Sequence, residues 1–380
     1  MLKRVSIQNF KSLKDVTLDL QKVNLLIGPN NSGKTNFLKA LEFFSKQLKG
    51  YIEDNMSDYS FKYSKEPSIT IRLIRDCDDI FDQKIKFEIF SLKFESNYPQ
   101  KRKVLRTWTT EHFNEIKEEK GTVYNLYSQD FWNLVEKEGT QYKFFKNIEI
   151  ALGDYIIYKP TPDRMIMPLP LVSTLSLEPD CSNAINFLHT LSTTDKNEYK
   201  LLEKDFAYCV GDLVEISVPP VNTPQGGKLG LKFFDKDGIG YWGQDVSEGV
   251  LYFLALLCII HQPNPPKLLL LEEPEKGIHP RRIWEVMKFI FQLAEEKNVQ
   301  IILTSHNEHV VNAFSSMPEA VFVFDKDEEG ATEVRNLQKD IIEPSHKRSA
   351  ELGLEGVNFT DNLGENWIYG LLGGVPTDND

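Results

Sequence analysis

The stretch Gly28-Pro29-Asn30-Asn31-Ser32-Gly33-Lys34-Thr35 fits G-x-x-x-x-G-K-[ST], the pattern of a glycine-rich loop that cradles phosphate groups. The apolar run Val23-Asn24-Leu25-Leu26-Ile27 precedes it and predicts a buried strand. Residues 36–44 follow it with helical periodicity, and the apolar face consists of Phe37, Leu38, Leu41 and Phe44. A chance match in a glycine turn is the alternative, but a strand before the loop and a helix after it are the context that a phosphate loop requires.

The fixed positions of this loop have distinct chemical roles. Glycines 28 and 33 let the backbone turn so that successive N–H groups face phosphate oxygens, and the N-terminus of the following helix adds to the positive field. Lys34 is predicted to reach the β- and γ-phosphates, and the Thr35 hydroxyl is predicted to bind Mg²⁺. The sequence therefore predicts ATP and Mg²⁺ as ligands. The nucleotide-binding residues expected from the loop are Asn30, Asn31, Ser32, Gly33, Lys34 and Thr35.

Length and charge limit the class of protein. The 380 residues suffice for one large domain with insertions or for two domains, and a hydrophobic content of 41% can fill a sizeable core. The net charge of −12 argues against a sequence-blind nucleic-acid coat. Residues 1–50 nevertheless hold nine Lys and Arg against three Asp and Glu, so a basic N-terminal face stays open as an alternative.

The cysteines and the apolar runs predict a location. Four cysteines are scattered with no C-x-x-C pair, which predicts buried free thiols in a reducing compartment. The N-terminus leads into a strand pattern without a signal-peptide segment, and the longest apolar run, Val250 to Ile260, is too short to span a bilayer. We expect a soluble cytoplasmic protein with no membrane partner.

Four segments are predicted along the chain. Residues 1–110 form an N-terminal lobe with the phosphate loop and an antiparallel β-subdomain, because five short runs alternate between apolar and polar residues. Residues 111–227 form a mainly helical insertion with helices at 184–191 and 198–213, ending in a proline- and glycine-rich break at 219–227. Residues 228–340 form a C-terminal ATPase lobe that begins with a hairpin, and residues 341–380 form a tail. Basic residues interleave with aromatics between 101 and 145, which is typical either of nucleic-acid binding or of a half-buried insertion core; the acidic residues among them favour the core.

A second strand ends in carboxylates. Leu268 to Leu271 is apolar throughout, as expected of a central strand in a parallel sheet, and Glu272 and Glu273 follow. In such folds the C-terminal end of this strand lies beside the phosphate loop. Glu272 is predicted to hold the metal ion, and Glu273 is predicted to polarise the attacking water. The alternative is an acidic turn after a core strand.

Two further places complete the predicted site. His306 follows the buried strand 301–305 and is predicted to contact the γ-phosphate or the attacking water, although a lone histidine is more often structural. Ser247, Glu248 and Gly249 precede the apolar helix that starts at Val250. A serine and a glycine at a helix start make either an anion-binding terminus or a simple N-cap, and the residues by themselves favour neither.

Taken in order along the chain, these motifs resemble the ABC-type ATPases of the RecF, SMC and OLD group. Arg4 to Ser12, with Phe10-Lys11-Ser12, resembles the opening strand of these proteins, and Glu272 to Pro280 resembles the E-E-P-E-x-x-x-H-P stretch of OLD-like members. The resemblance implies an α/β fold with a P-loop NTPase, ABC-ATPase-like core, in which a mixed sheet is flanked by helices and joined by the antiparallel β-subdomain and helical insertion. It also implies that two subunits enclose two ATP molecules, with Ser247 and Gly249 facing the loop of the other subunit, so that ATP joins a homodimer or higher oligomer and hydrolysis through Glu273 releases it.

The chain departs from this group in several respects. Glu272 replaces the usual aspartate, no equivalent of the metal-sensing glutamine is evident, and no long coiled-coil arm is present. About 75 residues follow His306, too few for the Toprim nuclease domain of many OLD-like members. Asp325 and Asp327 resemble such a metal site only loosely, and the Glu328-Glu329-Gly330 that follows favours a strand ending in an acidic turn.

Stand-alone ATPases of this kind resemble the motor halves of two-gene defence modules, in which an effector such as a nuclease is a separate chain. This resemblance implies an ATP-switched dimer that controls an effector in anti-phage defence. A RecF-like repair ATPase that binds DNA directly is the main alternative. A nuclease in its own right and a transporter motor subunit are less favoured alternatives.

Overall fold

The computed structural model describes residues 1–48, 59, 61, 68–76, 85–97, 101–112, 124–125, 155–224, 226–276 and 278–375. Most of the aromatic and basic stretch predicted as an insertion core lies outside these residues, as does Cys77. Cys181 and Cys258 are both free and buried, as predicted for the cysteines of this chain.

The strands in the described part of the chain are short, apart from two long neighbours. In chain order they are β1 (Leu2–Phe10), β2 (Leu13–Asp19), β3 (Val23–Ile27), β4 (Ser68–Asp76), β5 (Ile85–Asn97), β6 (Lys101–His112), β7 (Tyr124–Asn125), β8 (Ile157–Tyr158), β9 (Leu213–Ser217), β10 (Pro220–Thr223), β11 (Gly226–Leu229), β12 (Lys232–Asp235), β13 (Gly240–Trp242), β14 (Leu268–Glu272), β15 (Gln300–Thr304), β16 (Val321–Lys326) and β17 (Thr332–Asn336).

The α-helices of the described residues lie between groups of these strands and after the last strand. They are α1 (Lys34–Leu48), α2 (Pro162–Met165), α3 (Ala184–Thr194), α4 (Lys196–Val210), α5 (Glu248–Ile260), α6 (Pro280–Glu296), α7 (Glu308–Asn312), α8 (Glu343–Glu351) and α9 (Leu363–Ile368). None of the helices in the described residues is long and apolar enough to cross a membrane.

The chain forms two compact units. One combines Met1–Tyr155 with Gln300–Asp380, and the other is Ile156–Val299. The first unit joins two segments that are distant in sequence, whereas the four predicted segments follow the chain in order. The four-segment division stays a prediction.

The phosphate loop belongs to the first unit. Strand β3 pairs in parallel with β15 on one side and β16 on the other, and β17 runs antiparallel to β16. All five residues of β3 are buried, and the predicted apolar face of α1 is fully buried. The strand, loop and helix predicted around Gly28–Thr35 are therefore present.

A second sheet in this unit is antiparallel, with the strand order β2-β1-β4-β5-β6-β7. In β1 the alternation buries Val5, Ile7 and Phe10, and β4 buries Ile69, Ile71 and Leu73 in the same way. The predicted antiparallel β-subdomain is confirmed. Strands β5 and β6 are longer than the short apolar runs predicted, because cross-strand pairing continues from Ile85–His112 to Asn97–Lys101.

The second unit contains the predicted insertion helices and the apolar helix α5. Every residue of α5 from Gly249 to Ile260 is buried, as expected of a helix that is apolar on all sides. Helices α3 and α4 are present where the sequence predicted helices, but α4 ends at Val210, before the predicted end at 213, because Gly211 ends the helix and β9 begins at Leu213. The prediction of an irregular break at 219–227 is wrong: β10 and β11 pair there as a short hairpin, which tolerates Pro220 because proline can occupy the first position of a strand.

Candidate nucleotide-binding site

The loop after β3 has the backbone of a phosphate cradle. The φ angles are +145° at Gly28, +65° at Asn31 and +109° at Gly33, so three of its residues leave the usual right-handed region. A Cβ added to Gly28 would collide with the Phe324 carbonyl oxygen. The glycine at position 28 is therefore required both by its backbone angle and by its close neighbour.

Lys34 is buried within this loop. Its Nζ donates hydrogen bonds to the carbonyl oxygens of Gly28 at 2.8 Å and Pro29 at 2.7 Å, and lies 3.3 Å from Ser32 Oγ. A cation held among the loop's own oxygen atoms fits a phosphate ligand, since phosphate oxygens can take the place of carbonyl acceptors. Thr35 occupies the first turn of α1. Lys34, Thr35 and the loop backbone therefore fit a nucleoside triphosphate with Mg²⁺.

His306 follows β15 at the same sheet edge as the phosphate loop. Thr304 pairs in parallel with Leu26, and the Ser305 N–H donates to the Leu26 carbonyl oxygen at 3.1 Å. His306 is exposed, and Asn307 then caps α7 by accepting from the His309 N–H. His306 therefore follows the end of β15 that lies beside the end of β3, and its contact with a ligand of the loop stays a prediction.

Asp325, near the end of β16, and Asp327, just after it, accept hydrogen bonds from backbone N–H groups. Asp327 Oδ1 accepts from the N–H groups of Glu329 and Ala331, and Asp325 Oδ2 accepts from the Gly374 N–H at 3.2 Å. These bonds are typical of an acidic turn and of a docked C-terminal segment. Within the described ranges, no group of three or more His, Cys, Asp and Glu side chains could hold a metal ion.

The predicted catalytic carboxylates lie in the second unit at the end of β14. Glu272 Oε2 is 3.0 Å from Lys159 Nζ, and Lys159 directly follows β8, the parallel partner of β14. Glu273 has φ +49°, a backbone conformation that costs energy for a residue with a Cβ. Strain of this kind is concentrated at functional sites, so the angle at Glu273 is consistent with its predicted role.

Two polar side chains of the second unit are buried: Glu275, two residues after Glu273, and Tyr252. Glu275 is 8% exposed and Tyr252, on α5, is 2% exposed. Burial, and next the charge of Glu275, raises the pKa of the Tyr252 phenol well above its ordinary value. The phenol therefore stays protonated, and its oxygen has no hydrogen-bond partner within the described part of the chain.

Ser247 is the N-cap of α5, and its Oγ lies 3.5 Å from the Val250 N–H. Ser247 and Glu248 are exposed at this helix start, whereas Gly249 is buried. A Cβ added to Gly249 would meet its nearest neighbours, Arg282 Cδ and Ser247 Oγ, only at 3.9 Å. Neither the backbone angle nor packing within the described residues therefore requires glycine at this position.

The structure groups the predicted residues in two sets. The phosphate loop and His306 belong to the first unit, and Glu272, Glu273 and Ser247–Gly249 belong to the second. Sequence reasoning missed Lys159 beside Glu272, and it also missed Thr332, whose hydroxyl contacts the loop. Of the residues that surround the predicted site, the sequence indicated only the Phe10-Lys11-Ser12 stretch.

Comparison with known proteins identifies the family. The profile described as "AAA ATPase domain" matches residues 1–204, and the profile described as "AAA domain, putative AbiEii toxin, Type IV TA system" matches residues 186–312. An OLD nuclease of Thermus scotoductus (strain ATCC 700910 / SA-01) is 43% identical over 42 residues, which are 11% of this chain and 8% of that protein.

Two solved structures share the fold. An SMC head domain from Thermotoga maritima aligns with a TM-score of 0.50 at 11% identity, covering 88% of this chain and 98% of that one. An SMC head bound to the C-terminal winged-helix domain of ScpA aligns with a TM-score of 0.54 at 15% identity, covering 88% and 96%. The predicted α/β fold of a P-loop ATPase core is confirmed. The chain belongs to the family of AAA ATPase domains.

Proposed function

We propose that this ATPase is a nucleotide-switched dimer that controls a separate effector, such as a nuclease, in anti-phage defence. The observation that carries the ATP-dependent part is the phosphate loop, with Lys34 buried among its own acceptors and with two glycines at positive φ. We assign ATP hydrolysis to the carboxylates at the end of β14, Glu272 and Glu273.

Each predicted residue has one role in this proposal. The loop N–H groups and Lys34 bind the phosphates, and Glu273 accepts a proton from the attacking water while His306 orients it. Thr35 and Glu272 would hold Mg²⁺, and the ion would supply positive charge beside the phosphate oxygens. Lys159 offsets the charge of Glu272 before the metal ion binds, since its ammonium group is 3.0 Å from that carboxylate.

Gly249 supports a site that is shared between two subunits. Glycine costs a helix about 1 kcal/mol relative to alanine, and the fold of this chain has room for a methyl group at this position. A ligand that approaches the backbone closely from another subunit would explain the glycine. Ser247 and Glu248, both exposed beside it, would face the same ligand.

Two findings support a separate effector. The second matched family carries the name of a type IV toxin–antitoxin system, and such systems have two components. The two aspartates that loosely resemble a nuclease metal site, Asp325 in β16 and Asp327 just after it, accept hydrogen bonds from backbone N–H groups. We therefore assign no nuclease step to these two side chains.

The test is the solution mass of Glu273→Gln, measured by light scattering with and without ATP and Mg²⁺. This variant should bind ATP and fail to hydrolyse it, so we expect monomers to become dimers only when ATP and Mg²⁺ are both present. The variant for comparison is the double variant that carries both Glu273→Gln and Gly249→Ala. The added methyl group should leave folding and ATP binding intact but prevent the dimer.

Three outcomes contradict the proposal in different ways. A constant monomer would exclude the shared site and leave Ser247 as a plain helix cap. A constant higher oligomer would mean that ATP acts within a standing assembly. Dimerisation of the double variant equal to that of Glu273→Gln would remove Gly249 from the interface.

A further inference from the structure

A chain of hydrogen bonds through two hydroxyl groups connects the phosphate loop with the β1–β2 turn and with β17; we call it the hydroxyl chain. Asn36 Nδ2, in the first turn of α1, lies 2.8 Å from Ser12 Oγ in the turn between β1 and β2. Ser12 Oγ lies 2.8 Å from Thr332 Oγ1, the first residue of β17. Thr332 Oγ1 in turn donates to the carbonyl oxygen of Ser32 at 2.8 Å. Three segments that are far apart in sequence thus meet at one peptide group of the loop.

The direction of these hydrogen bonds follows from counting protons. A carbonyl oxygen only accepts, so the single hydroxyl proton of Thr332 is used on Ser32. Thr332 Oγ1 must then accept from Ser12, whose own hydroxyl accepts from the Asn36 amide. All three bonds run the same way, an arrangement in which each bond polarises and strengthens the next.

Packing ties the same residues to the loop. Thr332 and Ser32 are both buried, and a Cβ added to Gly33 would collide with Thr332 Oγ1. The Thr332 N–H also donates to the Ser12 carbonyl oxygen at 2.8 Å, and Lys14 forms an ion pair with Glu329. The turn before β17 and the turn after β1 are therefore joined directly beside Gly33.

We propose that Ser12 and Thr332 are positioning residues that aim the loop at phosphate. In a planar trans peptide the C=O and the following N–H point in opposite directions. Holding the Ser32 carbonyl against Thr332 therefore fixes the direction of the Gly33 N–H, which faces away from β17. This inference rests on the proposed nucleotide site and adds the groups that hold its backbone donor in place.

The test compares Thr332→Val with Thr332→Ser. Valine keeps the shape of threonine but removes both hydrogen bonds, and serine restores the hydroxyl. Thr17→Val is the matched control, because Thr17 Oγ1 donates to Ser6 Oγ at 3.0 Å in the β1–β2 hairpin at an exposed position. Ser12→Ala removes the hydrogen bonds that Ser12 forms with Asn36 and Thr332, and it leaves the hydrogen bond from Thr332 to Ser32 intact.

Two measurements are made on each full-length protein. The first is hydrogen exchange of residues 29–35 without nucleotide, and the second is the affinity for fluorescent ATP and ADP analogues. We expect Thr332→Val to exchange faster in this segment and to bind both nucleotides about tenfold more weakly, because an unsatisfied carbonyl lets the peptide group rotate. Ser12→Ala should show a smaller change in the same direction, while Thr332→Ser and Thr17→Val should resemble the wild type.

The two measurements separate this inference from the proposed function. Unchanged exchange in Thr332→Val would overturn the role of the hydroxyl chain, whether or not ATP binds. Faster exchange with unchanged affinities would show that the hydroxyl chain steadies the loop but does not position it for phosphate, which also overturns the proposal. A wild-type protein that binds neither nucleotide would refute the proposed function, and the exchange data would still decide whether the hydroxyl chain holds the loop.

Discussion

At the scale of single residues, backbone angle and neighbouring atoms separate required glycines from tolerated ones. Gly28 has φ +145°, and the Phe324 carbonyl occupies the place of its missing side chain. The C-terminal segment meets the same place, since a Cβ added to Gly374 would lie 3.5 Å from the Gly28 Cα. Gly227, in β11, has no atom within 4 Å of an added Cβ and no positive φ. The two positions therefore make a matched pair for substitution.

We predict that Gly28→Ala lowers the unfolding free energy by about 2 kcal/mol or more and weakens ATP binding at least about tenfold. Gly227→Ala should change neither quantity measurably. Urea unfolding and nucleotide titration of the two variants check this prediction. A Gly28→Ala protein with wild-type stability would show that the loop can adopt another backbone conformation.

At the scale of elements, helix α4 holds strand β9 by two side chains spaced four residues apart. Tyr199 donates its hydroxyl to the Ile216 carbonyl oxygen at 2.6 Å, and the Ile216 N–H donates to Glu203 Oε1 at 3.0 Å. Residues four apart share a helix face, so both backbone groups of Ile216 are satisfied by one helix. Ile216 also pairs with Phe233 of β12, whose ring stacks on Phe206 of α4 at 5.5 Å between centroids.

Burial is the main cause that raises the pKa of Glu203. A raised pKa in the folded state means that the ionised carboxylate destabilises the fold above that pKa, and that this penalty disappears as pH falls to the unfolded value of about 4.3. We predict that Glu203→Gln is more stable than the wild type at pH 8, by less than about 1 kcal/mol because the group is half exposed, and equally stable near pH 4.

Urea unfolding at the two pH values measures this difference, and Glu295→Gln on the exposed face of α6 is the control. The glutamine keeps an oxygen that accepts from the Ile216 N–H. A stability gain that is the same at both pH values would mean that the charge of Glu203 is not its source.

At the scale of the whole molecule, charge bears on the choice between a protein effector and direct DNA binding. The net charge is −12, and the basic excess lies in residues 1–50. Part of that excess is neutralised from outside the segment, because Lys14 pairs with Glu329. Lys34 is buried in the phosphate loop. The remaining basic surface is smaller than the sequence count indicates.

We predict that duplex DNA stimulates the ATPase rate less than about twofold at physiological salt. The measurement is steady-state ATP hydrolysis with and without DNA ends, repeated over a range of salt concentrations. Strong stimulation that falls steeply with added salt would favour the RecF-like alternative, since displacement of counterions from phosphates produces that dependence.

The sequence by itself determined the elements of the core and most of the chemistry-bearing residues. The strand, loop and helix around Gly28–Thr35 could be predicted because their signals are local: a buried apolar run, two glycines and a 3.6-residue period. The same holds for α5, which is apolar from Val250 to Ile260, and for β14, which is apolar from Leu268 to Leu271. The roles of Glu272, Glu273, His306 and Ser247–Gly249 stay predictions, placed at strand ends and a helix start as the sequence indicated.

Only the tertiary structure decided which distant groups support these elements. Ser12 and Thr332 are 320 residues apart, and no local pattern signals that their hydroxyls meet beside Gly33. Lys159 reaches Glu272 only because β8 and β14 pair in parallel, and the hairpin at 220–229 forms in a stretch whose prolines and glycines predicted a break. These features depend on long-range packing, which satisfies buried hydrogen-bonding groups wherever a partner comes within reach and therefore overrides local propensity.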